Sequence, residues 1–219
     1  MTYTHLTKNT LRTPKAAAIA GIVFSVLLIV IFVLLRLSFP SESSPAIIVF
    51  QIRAETIAFA VSLIPFAGVA FLWFIGVVRD RLGALEDRLF ATVFLGSGLL
   101  FLAMLFGAAA VVSSTVLALA PGAEERIDAK TFAFARSLTF ILMNVYATKM
   151  AAVFMITTST VAAYTGFVPR YVAYLGYPLA LLILFGSQYR DWSFFVFPIW
   201  VLLLSSQILV DNYRNVLKD

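Results

Sequence analysis

The chain has no cysteine at all, and a single histidine, His5, which lies in the N-terminal tail. Without thiols there are no disulfides, no thiolate metal sites and no cysteine nucleophile. One histidine leaves no basis for bis-histidine haem or ordinary zinc chemistry, so neither a metal nor a cofactor is expected. Charge is scarce too. Asp, Glu, Lys and Arg make up 12% of the residues, against roughly 25% in soluble domains. The sequence also lacks HExxH, GxSxG, Walker and GxGxxG patterns, and no catalytic residue is assigned. The expectation is that the protein is not an enzyme.

Hydrocarbon fills the space that charge vacates. Of the 219 residues 62% are hydrophobic, and mean hydropathy is +0.98. A soluble core of this size has no interior for so many apolar side chains, so the lipid bilayer is the expected partner. The 16 Lys and Arg residues are scattered between apolar runs rather than gathered into a patch, which argues against nucleic acid.

A window of about nineteen residues resolves the chain into six expected spans, at 16–39, 56–78, 89–119, 134–164, 171–186 and 192–210. Pro65 is expected to kink the second, Pro121-Gly122 to end the third and Pro169 the fourth. Pro178 and Pro198 interrupt the last two, which the short Ser187–Asp191 turn should join as a hairpin. The fold class is therefore all-α, a polytopic transmembrane helix bundle, read as one integral membrane domain over 1–219.

The first span follows Lys8, Arg12 and Lys15, which resemble a signal-peptide n-region. Its 24-residue apolar stretch exceeds the 7–15 of a cleavable segment, so an uncleaved helix is expected.

Counting Lys and Arg between spans places nine on the side of both termini and six on the other. Both termini are therefore expected to be cytoplasmic, and the small loops suggest a bacterial inner membrane. Tyr164, Tyr171, Tyr174, Tyr177, Tyr189, Trp192 and Tyr213 fall near span ends, where amphipathic rings prefer headgroups. Trp73 and Trp200 lie within spans and suit core or lipid contact.

The charged connections invite a closer look. In Arg79–Arg88, Asp80, Glu86 and Asp87 form no metal-binding spacing, so a solvated loop is expected. Pro121–Arg136, with Glu124, Glu125, Arg126, Asp128 and Lys130, reads the same way.

Small residues recur every three or four positions on the first span (Ala17, Gly21, Ser25) and the third (Ala103, Gly107, Ala110, Ser114). Such faces let helix backbones approach closely. They fit a compact bundle, a homo-oligomer or a partner membrane subunit equally well.

Lys149 is the one ionisable residue near the centre of an expected span. In a helix over 134–164 it lies some fifteen residues from either end, roughly 22 Å at 1.5 Å per residue, beyond a hydrocarbon half-thickness of about 15 Å. A lysine tail gains on the order of 6 Å, so snorkelling falls short. The expected solutions are a neutral amine, a water-lined cavity, or hydrogen bonds to hydroxyls and backbone carbonyls.

Lys149 flanks a polar stripe containing Asn144, Thr148 and Ser159. These four residues form the candidate intramembrane site of a small channel or carrier. Two competing readings stand beside it. The stripe is a packing seam, the span ends near Thr157–Thr160 and Lys149 lies close enough to the cytoplasmic side to find water, or Lys149 pairs with a partner's carboxylate in a structural or accessory subunit of a membrane complex or homo-oligomer.

Overall fold

The computed structural model describes residues 13–38, 46–82, 88–120, 127–166, 168–186 and 193–216. Helices account for nearly all of them, and no strand occurs among the described residues. In chain order they are α1 (Thr13–Ser38), α2 (Ala46–Ile52), α3 (Ala54–Ser62), α4 (Ile64–Leu82), α5 (Arg88–Ala118) and α6 (Ala129–Ile141). A π-helical segment, Leu142–Ala147, joins α6 without a break to α7 (Thr148–Thr165), followed by α8 (Arg170–Gly186) and α9 (Ser193–Val216).

Five stretches are long and apolar enough to cross a membrane: Ala18–Ser38, Ala54–Arg79, Leu89–Ala118, Ala129–Thr165 and Ser193–Asp211. The remaining expected span is α8, which at 17 residues extends about 25 Å against a hydrocarbon thickness of about 30 Å. Its Pro178 has no N–H to offer the carbonyl one turn earlier.

Several boundaries differ from those expected. The second span breaks at Leu63, and Pro65 sits in the first turn of α4, where a missing N–H costs nothing. The fourth helix starts at Ala129 because Asp128 caps it, accepting a hydrogen bond from the Thr131 N–H at 2.8 Å. Lys130 and Arg136 are therefore exposed helix residues rather than parts of a loop. The 79–88 connection shortens likewise, because α4 runs to Leu82 and α5 starts at Arg88. The middle of that loop, Pro121–Arg126, the 187–191 turn and the N-terminal tail lie outside the described residues.

The α7 to α8 turn has a plain local cause. Gly166 takes the left-handed conformation (φ 67°) and donates its N–H to the Ala162 carbonyl at 3.0 Å. Only glycine adopts that geometry without penalty, and Pro169 then starts the next helix.

Phenylalanine rings fill the middle of the bundle. Phe24 of α1, Phe71 of α4, Phe101 of α5, Phe154 of α7 and Phe197 of α9 are all buried. Phe24 and Phe71 have ring centroids 4.5 Å apart, Phe71 and Phe154 5.1 Å, and Phe101 and Phe197 4.9 Å. These tilted and edge-on arrangements suit the ring quadrupole and tie five helices together at one level.

Close approach depends on small residues. At Gly21 a methyl group would collide with Ser205 Oγ of α9, which explains how α1 and α9 pack so extensively. The expected face on the third span behaves otherwise. Ala103, Ala110 and Ser114 of α5 are exposed, and Gly107 is half-buried.

Candidate functional site

The Lys149 amine donates a hydrogen bond to the main-chain carbonyl of Leu184 at 3.0 Å. Leu184 lies in the last turn of α8, where a carbonyl has no i+4 amide partner within the described helix. The negative end of the helix dipole points the same way, so a lysine nitrogen is well suited to this position. A backbone carbonyl is one of the expected solutions, and the packing of α7 against α8 supplies it.

Position along the bundle explains why. Helices α7 and α8 run antiparallel, with the Thr160 and Tyr177 hydroxyls 2.9 Å apart near the turn and Lys149 against Leu184 at the far end. Counting 16 residues back from Thr165 and 14 forward from Arg170 puts both partners roughly 21–24 Å from the turn. Lys149 is thus mid-way along its own 129–165 helix yet level with the end of its neighbour. It is half-buried there.

Asn144 and Thr148 are buried, but each spends its side chain on its own helix. The Asn144 amide donates to the Phe140 carbonyl at 3.1 Å and the Thr148 hydroxyl to the Asn144 carbonyl at 2.6 Å. Both lie in or beside the π segment, where the ladder moves from i−4 to i−5, as in the Thr148 N–H bond to the Met143 carbonyl. The Asn144 amide supplements the bonding where that change of register begins.

Ser159 belongs elsewhere. It lies ten residues beyond Lys149, about 15 Å along the helix, and faces Gly176 of α8 and Trp200 of α9. Its hydroxyl and the Trp200 indole N–H are both buried without a hydrogen-bond partner. The four candidate residues therefore form two separate places: a helix-end contact at Lys149 and a tight three-helix crossing at Ser159.

A cavity of about 20 Å³ adjoins Thr148, lined by Leu28, Phe32, Phe101, Phe197 and Ser193 among others. That is room for about one water molecule. No group of three or more His, Asp or Glu able to hold a metal ion occurs among the described residues.

No known protein family, no characterised protein and no solved structure matches this chain. Its chemistry has to be read from its own residues.

Gly176, Tyr177 and Trp200 were not among the expected site residues, although a glycine within the Tyr174–Pro178 run is the kind of signal that marks a helix crossing. Leu184 could carry no signal, because any residue supplies a backbone carbonyl.

Proposed function

We propose that the protein is a non-catalytic, multi-pass membrane subunit that acts through its helix faces, as an accessory component of a membrane complex or as a homo-oligomer. The observation that carries this reading is the phenylalanine cluster. Phe24, Phe71, Phe101, Phe154 and Phe197 occupy the position between α1, α4, α5, α7 and α9 where a passage would run. Lys149 supports the same reading, since its amine is engaged with a main-chain carbonyl in the last turn of α8. A bacterial inner membrane with both termini cytoplasmic is the placement that goes with the charge distribution.

The alternative is a small channel or carrier running past Asn144, Thr148 and Lys149. Reconstitution separates the two. Purified protein in liposomes is expected to give no ion or solute flux above protein-free vesicles, and to migrate in mild detergent as an oligomer or with a membrane partner. Flux that Lys149→Leu abolishes would establish transport instead.

A further inference from the structure

An open groove of about 680 Å³ runs between the end of α5 and the start of α6. Its far end is formed by Ala110 and Leu138, its middle by Ser114 and Ala135, and its mouth by Thr131 and Asp128. From Ile127 to Leu138 it extends about 16 Å, parallel to the helix axes. The volume falls among those of small-molecule sites, which are mostly apolar with a few placed polar groups.

Alanine, valine and leucine line the far end, Ala118 and Ile127 lie beside Asp128 at the mouth, and of the described residues lining the groove Asp128 alone is charged. Its carboxylate accepts the Thr131 N–H at 2.8 Å, which leaves lone pairs free on a group that is exposed. Lys130 and Arg136 are exposed on the same helix but do not line the groove.

We propose that this groove binds a phospholipid with an ammonium headgroup, its acyl chain lying between α5 and α6 and its ammonium against Asp128. The match is one of shape and charge together. A chain parallel to the helices fills the apolar end, and the one charge among the described lining residues is of the sign that attracts a cation and repels an anionic headgroup. The site is distinct from the Lys149 contact and does not depend on the accessory role proposed above.

The test uses the full-length protein, delipidated in detergent, with phosphatidylethanolamine and phosphatidylglycerol of identical acyl chains as probes and native mass spectrometry as readout. Phosphatidylethanolamine should be retained roughly threefold over phosphatidylglycerol, as for an exposed ion pair. Asp128→Asn keeps an oxygen for the Thr131 N–H and should abolish the preference. Ala135→Phe should reduce retention of both lipids, and Ala110→Phe, at an exposed position, serves the same purpose if the first variant fails to fold. Equal retention, a preference for phosphatidylglycerol, or a preference that survives Asp128→Asn overturns the proposal. So does release of a second copy of the chain, or of another membrane protein, by either phenylalanine variant, since the groove would then belong to a protein partner.

Discussion

Lys149 of α7 holds the carbonyl of Leu184 at 3.0 Å, so a side chain from one helix closes the end of the next. The contact joins residues 35 positions apart and ties the last turn of α8 to the longer helix beside it.

Replacing Lys149 with Met should leave that carbonyl without its donor. An unmet partner of this kind costs about 1–3 kcal/mol, read as a lower Tm in detergent. Amides in the last turn of α8 should exchange faster with deuterium, while those near Tyr177 stay protected. Unchanged exchange in α8 would mean that the contact holds nothing in place.

At Gly176 an added methyl group would collide with Ser159 Oγ and lie 3.0 Å from Trp200 Nε1. Gly176→Ala should therefore destabilise the bundle by about 1–3 kcal/mol through overpacking. Ser159→Ala removes a buried hydroxyl that has no partner and should be neutral or mildly stabilising. Combined, the two should cost less than Gly176→Ala alone. Thermal unfolding of the three variants gives the cycle, and strict additivity would show that 159 and 176 do not touch.

Phe154 touches the rings of Phe71, Phe74, Phe94 and Phe197 and is fully buried. Phe154→Ala should cost about 3–5 kcal/mol. If the cluster blocks a passage, the same variant in liposomes is also the one to leak. Substitution of the exposed Phe59 or Phe66 should do neither.

Acidity should act on the start of α6. Hydrogen bonds from Thr131, its side chain first and its N–H second, favour the charged form of Asp128 and hold its pKa below the usual 3.8. The contribution of this cap is present above about pH 3.8 and is lost as pH falls further, through the lowered value. Amide exchange in the first turn of α6 should accelerate over that interval in the wild type and stay flat in Asp128→Asn.

Much of the architecture was legible in the residues, because hydrophobic length is a direct physical requirement of a bilayer. The third span is the clearest case, expected at 89–119 and found as α5, Arg88–Ala118. Where charge sits at a helix start, length alone misleads. Asp128 and Lys130 look like loop residues until the cap is recognised, and the Asp128 to Thr131 spacing was the available signal. Helix α2, only 7 residues long, carried too little hydropathy signal to separate it from the loop around it.

The candidate site was legible only in part. Lys149 stands out in the sequence as a cation inside an apolar run, and a backbone carbonyl is among the partners that its chemistry allows. Which carbonyl meets it is not legible, because the middle of a 37-residue helix lies level with the last turn of the shorter α8 only once the two helices are packed. Ser159 was grouped with it by spacing along one helix, whereas the partners that matter, Gly176 and Trp200, come from two others. Neighbours in space do not follow from periodicity.

The six residues Leu142–Ala147 also absorb a shift of register. Each turn there takes up about one residue more than an ordinary helical turn, so the extra residue is accommodated while both halves of the long rod keep a side toward α5. The upstream half meets α5, and Phe132 lies edge-on to Phe50, while the downstream half meets both α5 and α8. Excising a single residue between 142 and 147 would let the wide turn close to an ordinary one with both halves keeping their sides, whereas excising one between 133 and 141 would turn the start of α6 by about 100°, carrying Phe132 away from Phe50 and Asp128 away from its groove.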